Sequence, residues 1–338
     1  MKQLSRGLKN SFWGRQPHHP ESAVSSMKKG IGLVFARDRM SAVAVRSTGS
    51  HLTLLDSCTV INESQESYSL AYIETLREFV RRNRLRSWPV VLSIPNHWVI
   101  VRYMSVPSIP VPAIRQMVQV ELGNTIHLPF EDPVYDVAQV TPLTQLEEGM
   151  QSIALVAAPR EIVTSALQVA HNVGIRPIAI EIEPIALWRY AKYTMGDLPG
   201  LTVLMDIHET SVTLALFIND MLYFLRENEG SFDLFAADHG DDEIQRVCND
   251  LVYEMDRVMN FFNFSLANQT RVPERIILST YTDSDDRLAD LLHQQTGIFV
   301  LSITSKAKEH GPFSGNDRIV QGSCVAATGL TLRGHISS

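Results

Sequence analysis

The stretch from Leu201 to Asn228, LTVLMDIHETSVTLALFINDMLYFLREN, narrows the possible folds more than any other part of the chain. Three apolar runs are separated by two polar pinch points, His208-Glu209-Thr210 and Asn219-Asp220. β-branched and large apolar residues between turn formers predict three consecutive antiparallel strands. Strand alternation puts Val203, Met205 and Ile207 on one face and Thr202, Leu204 and Asp206 on the other, so Asp206 ends its strand where the chain must turn. An acid in that place faces whatever lies over the turn.

A chain of 338 residues exceeds one ordinary core, which predicts two lobes with room for an inserted subdomain, and 45% hydrophobic content suffices to fill them. The net charge of -7 argues against a chain wrapped around nucleic acid, so no direct nucleic-acid partner is expected. Cys58, Cys248 and Cys324 are widely spaced and odd in number. That fits a reducing compartment better than a disulfide framework or a zinc site. No apolar run approaches the roughly 20 residues that span a bilayer, and the N-terminus lacks the apolar core of a secretory signal. A cytoplasmic location is therefore expected.

Residues 1–27 differ in composition from the rest, with Lys2, Arg6, Lys9 and Arg15 and no acid before Glu21. Leu4, Leu8 and Phe12 would share one helical face, the pattern of a segment lying on an anionic membrane. Gly7, Gly14 and Pro17 weaken any helix there, which favours a solvated basic tail instead. From Lys28 two apolar runs flank Ala36-Arg37-Asp38-Arg39 and predict a hairpin, followed by a strand from His51 to Asn62. Helical spacing of Leu70, Ile73, Leu76 and Val80 predicts a helix over 67–84 whose terminal arginines complement the helix dipole.

VVLSIPNHWVIVRYMSVPSI predicts two more strands, and Pro107, Pro110 and Pro112 mark a boundary before a helix over 113–126. Strands near 134–141 and 152–157 and a helix over 160–173 complete a unit able to bury its own small core, read as an inserted subdomain over 104–174. The resulting plan is a first lobe over 28–103 that returns over 175–200, a second lobe over 201–318, and a closing helix and tail over 319–338. In the second lobe Ile244, Val247, Leu251, Met255, Val258 and Phe262 form one apolar stripe, predicting a long helix over 241–266. Asp238, His239 and the acids at 241–243 read as a charged helix start, since no metal-ligand spacing supports them as a metal site. There is no G-x-S-x-G, H-E-x-x-H, Walker A or G-x-G-x-x-G motif, and no isolated carboxylate pair stands out as acid and base.

The order of elements, more than any one piece, carries a family resemblance. GIGLVFARDRMSAVAV, VPSIPVPAIRQMVQVELGNTIHLPFEDPVYDV, IALVAAPREIVTSALQVAHNVGIRPIAIEIEPIAL, VLMDIHETSVTLALFINDMLYFLREN, LVYEMDRVMNFFNFSLANQ and AATGLTLRG together resemble the PilM family of type IV pilus assembly proteins, in particular its divergent HofM and MshI types. The resemblance implies an actin-like ATPase (ribonuclease H-like) α/β fold, related to FtsA, with two lobes and a small strand-helix-strand-strand insert. It also implies a trimmed second lobe.

Family members that bind ATP with magnesium use three places, and each is altered here. Where the family has Gly-Leu-Asp-Ile-Gly-Thr-Ser, this chain has Val34 for the acid and Ala36 for the glycine. The second place keeps Asp206, Thr210 and Ser211 as a remnant phosphate site but sets His208 at the turn glycine. In the third, Thr280-Tyr281 replace a glycine pair, and Asp283, Asp285 and Asp286 follow. These changes favour a pseudo-ATPase scaffold without cofactor or resident metal, a non-enzyme that binds the cytoplasmic tail of an inner-membrane PilN-like protein and other pilus assembly proteins, with peripheral membrane contact through the N-terminal tail. One alternative keeps an ATP site, with Asp206 holding metal-bound phosphates and Arg37 as a phosphate contact. A division-type filament protein is another. Oligomeric state and the role of the pilus, whether DNA uptake, adhesion or motility, stay open.

Overall fold

The fold is described from a computed structural model covering residues 29–48, 51–61, 70–230, 232, 241–280, 285–303 and 322–333. The basic N-terminal segment, Asp238, His239, Tyr281 and Asp283 lie outside the described residues. In chain order the first elements are β1 (Lys29–Phe35), β2 (Arg39–Thr48), β3 (His51–Ile61), α1 (Leu70–Arg82), β4 (Pro89–Ile94) and β5 (Ile100–Pro107). There follow α2 (Val111–Glu121), β6 (Pro133–Val140), β7 (Met150–Pro159), α3 (Arg160–Asn172), β8 (Arg176–Ile182) and α4 (Glu183–Met195). The second half has β9 (Leu201–Ile207), β10 (Ser211–Ile218), β11 (Met221–Glu229), α5 (Asp241–Phe261), β12 (Arg275–Thr280), α6 (Asp285–Thr296), β13 (Phe299–Ser302) and α7 (Val325–Thr331).

Two five-stranded sheets share one plan. The first runs β3-β2-β1-β4-β8 and the second β11-β10-β9-β12-β13. In each, the first strand of the half lies centrally, a meander extends to one edge, and two parallel strands reached by helical crossovers extend to the other. This is the actin-like architecture, and the meander expected over 201–228 is its second half's founding unit. β9 is buried along its whole length because both of its faces are covered. One face packs on the core that contains α5 and α6, while Leu204 and the facing Ala215 and Phe217 join the larger core of the first half. The two lobes therefore share apolar packing.

The insert is a three-stranded antiparallel sheet, β5-β7-β6, closed on one face by α2 through Val106, Ile114, Val118, Val137, Ile153 and Leu155. Two expectations are corrected here. α2 stops at Glu121, because Leu122 is already extended and Gly123 takes φ of +85°, whereas apolar spacing alone carried the helix on to Ile126. Helix α3 is not confined to the insert: Ile162, Val163, Ala166, Val169 and Ala170 join the first lobe's core against the sheet that holds β4 and β8, while the helix also touches β6 and β7.

The lobes meet where α4 and α7 cross. A Cβ at Gly32 would lie 1.7 Å from the carbonyl oxygen of Ala327, and one at Gly329 would lie 2.0 Å from that of Ala186. Backbone thus touches backbone where α7 lies on β1 and where it crosses α4. Beside it Glu181, fully buried, accepts from Arg333 at 2.6 Å and forms an ion pair with Arg189 at 2.9 Å, and Arg189 donates to the Gly329 carbonyl at 2.9 Å. A buried carboxylate so paired ties β8, α4 and the end of α7 together. Gly329→Ala is expected to lower unfolding free energy by about 3 kcal/mol or more through overpacking, read as a lower denaturation midpoint. An unchanged midpoint would mean that the crossing is looser than described.

Candidate functional site

Two hairpin turns of equivalent position face each other between the lobes. The β1-β2 turn is closed by Ala36 donating to the Arg39 carbonyl at 2.9 Å, and the β9-β10 turn by His208 donating to that of Ser211 at 2.8 Å. Between them lies a cavity of about 310 Å³ counted out to its open mouth, lined from the first lobe by Val34, Ala36, Arg39 and Ser41. Asp206, Ile207 and His208 line it from the second lobe, together with Glu183 at the start of α4, Ser279 and Thr280 at the end of β12, and Ala326 on α7. Its enclosed part has room for about one water molecule.

Five ionisable side chains meet here, all at most 9% exposed: Asp38, Arg39, Glu183, Asp206 and His208. His208 Nε2 lies 3.0 Å from Asp206 Oδ2, and its Nδ1 faces Asp38 Oδ1 at 3.9 Å, so the ring spans carboxylates of both lobes. Arg39 forms two hydrogen bonds to Asp38, at 2.9 and 2.6 Å. Burial alone would push His208 down, but Asp206 and then Glu183 outweigh it and raise the imidazole to about 9. For Asp38 burial is likewise outweighed, by the Arg39 hydrogen bond and by the His208 and Arg39 charges, which hold the carboxyl below its usual range. Glu183 behaves oppositely: burial and the negative Asp206 lift it to about 8, so it is a neutral acid near pH 7. Asn96 donates to it at 3.2 Å.

Other contacts hold the cleft shut around this cluster. Arg37 crosses the cleft to Glu227 and Glu229, both at 2.8 Å, and Asn96 reaches Thr213 on β10 at 3.3 Å. From the insert, Tyr103 donates to the Leu222 carbonyl, while Tyr223 of β11 donates back to Thr141 at 2.7 Å and stacks on Tyr103.

The expected residues divide. Asp206, at the strand end where alternation puts it, and His208 line the cleft, together with Val34 and Ala36. Ser211 is buried outside the cavity lining and Thr210 is exposed, because alternation beyond the turn directs them elsewhere. Arg37, read as a phosphate contact in the ATP-binding alternative, is engaged with β11 carboxylates and is not in the lining. Asp286, the second residue of α6, is also outside the lining. Sequence reasoning missed Glu183, Asp38 and Arg39 as members of the site; an acid directly before Pro184 at a helix start was the available signal for the first. Glu183, Asp206 and His208 offer ligand-type atoms within 4.8 Å of one another, a grouping whose chemistry suits a shared proton or a small divalent cation.

His208 and Glu183 both keep protons in the folded chain that the unfolded chain releases. Stability that depends on His208 is full below about pH 6.5 and is lost as pH rises through about 9, and ionising Glu183 through about pH 8 acts in the same direction. His208→Gln is expected to cost about 3 kcal/mol at pH 7 by leaving buried carboxylates without their cation, and to flatten the loss of stability between pH 6.5 and 9. Urea titrations across that range check it; an unchanged pH slope would contradict the assignment.

No family model matches the chain, and no curated protein matches it in sequence. Among solved structures, a chain of a "PilM-PilN type IV pilus biogenesis complex" superposes with a TM-score of 0.71 at 22% identity, covering 93% of this chain and 100% of that one. The cytoplasmic domain of EpsL, an inner-membrane component of the Vibrio cholerae type II secretion system, matches at 14% identity and TM-score 0.45 over 75% of this chain and 82% of its own. A Bacteroides thetaiotaomicron protein described as having an actin-like ATPase fold matches at 10% identity and TM-score 0.43, over 82% and 91%. No helix among the described residues is long and apolar enough to cross a membrane. The end-to-end match to the pilus complex chain fixes the fold: two actin-like lobes with a small insert in the first.

Proposed function

We propose that this chain is a non-catalytic, PilM-type adaptor of a type IV or DNA-uptake pilus assembly machine, working on the cytoplasmic face of the inner membrane. Its task in this reading is to capture the short cytoplasmic tail of a PilN-like protein and join it to the assembly apparatus. The observation that carries it is the fold shared over 93% of this chain and all of the matched PilM-PilN complex chain, insert included. A tail that adds main-chain hydrogen bonds and apolar anchors to a groove needs no reacting group on the protein.

The cleft supports the non-catalytic half of the proposal. A nucleotide's phosphates need bare backbone at both turns, and here Ala36 and His208 fill those places. Asp38 and Asp206 already engage the cations of the cleft, Arg39 and His208, from which a polyphosphate would have to take them. A nucleotide does not fit among these residues as they stand. A second reading, an ATP-binding form whose nucleotide state regulates assembly, draws on Asp206 and Glu183, two buried acids close enough to share a metal ion.

Isothermal calorimetry with a synthetic peptide of the PilN-like tail, and separately with millimolar Mg-ATP, tests both. The adaptor reading expects saturable peptide binding in the micromolar range that Mg-ATP leaves unchanged, and no heat from the nucleotide itself. Mg-ATP binding that shifts peptide affinity would replace it with the regulated form. Absence of any peptide binding would remove the adaptor.

A further inference from the structure

We propose that the aromatic face at the C-terminal end of α5 is a docking surface for an acidic, apolar segment of a partner protein, independent of the tail captured in the reading above. Helix α5 passes into a π-helical segment, Phe262–Ala267, and ends at Asn268 with φ of +48°. The π turn shifts the helical register: Phe262 is fully buried, while Phe261 is 50% and Phe264 83% exposed. Such turns give up regular α-helical bonding and recur at functional sites. Val272, 71% exposed, is held beside them because the Asn263 side chain accepts from the Arg271 amide at 3.0 Å and donates to its carbonyl at 3.1 Å. Phe224 on β11 meets the Phe261 ring at a centroid distance of 5.5 Å. The apolar surface is thus fixed before any partner arrives, which lowers the entropy cost of docking.

Charge selects the occupant. Along the rest of α5 the arginines are neutralised in place, Arg246 by Glu243 and Asp250 and Arg257 by Glu254. Arg226, two residues after Phe224 on the same face of β11, bonds only the Asn228 amide oxygen, and the Arg271 guanidinium faces the Gln269 amide. Neither arginine has a carboxylate at ion-pair distance among the described residues. Two uncompensated cations bordering exposed phenylalanines complement a segment carrying acids around apolar anchors. A two-fold pairing of this surface with a second copy would bring like charges together.

A displayed library of amphipathic peptides, with apolar anchors fixed at helical spacing and flanking positions randomised between Glu and Lys, is panned against the full chain and against Phe264→Ser. Glu-flanked peptides should be enriched about tenfold or more over Lys-flanked ones on the wild type and not on Phe264→Ser, whose thermal melt should match the wild type because the ring is exposed. In Arg226→Glu/Arg271→Glu the preference should reverse. Equal enrichment of both flanks, no enrichment, or enrichment surviving Phe264→Ser would overturn the proposal. So would a concentration-dependent dimer, or flotation with phosphatidylglycerol vesicles, that Phe264→Ser abolishes.

Discussion

One imidazole ring joins the two halves of the molecule at the place where they face each other. His208 is bonded to Asp206 on its own lobe and reaches toward Asp38 on the other, and Arg39 completes the charge balance from the first hairpin. In a buried setting such a cluster is stable only when each charge has its counterpart, since desolvation of any unpaired member costs several kcal/mol. The arrangement supplies internally what a bound anion and cation would otherwise bring to two opposed turns. Closure then follows from the chain's own side chains, and Arg37, Asn96, Tyr103 and Tyr223 add contacts that depend on it.

That closure rests on rigid backing. Helix α7 leaves no space for a side chain at Gly32 of β1, nor α4 for one at Gly329, so the base of the cleft is closely packed. Glu183 begins α4 and Ala326 belongs to α7, so both helices carry residues of the cavity lining. Stability of the crossing and geometry of the site are in this way one property. The insert and the aromatic end of α5 lie outside that rigid centre.

Much of the architecture was legible because its strands are strongly patterned. The 201–228 meander has apolar runs broken at two turns; its register placed Asp206 at the turn, and the family resemblance marked His208 there. Element type was also readable in α5, whose apolar stripe is unbroken. Membership of packed layers was not: nothing in the spacing of Ile162, Val163 and Ala166 says which sheet they cover, so α3 was read into the insert alone. The end of α2 was obscured because Leu122 and Ile126 continue a helical spacing past Gly123. In the site, Glu183, Asp38 and Arg39 come from segments far apart in sequence and meet only through the lobe crossing, which no local pattern encodes.

The central claim is that side chains, and not a ligand, fill and close the cleft. Its most direct measurement is a crystal structure grown in millimolar Mg-ATP. The account predicts His208 still within hydrogen-bond distance of Asp206, Arg39 still on Asp38, and no nucleotide density between the two turns. Density for ATP or ADP lying between Ala36 and His208, with the ring swung away from Asp206, would contradict it.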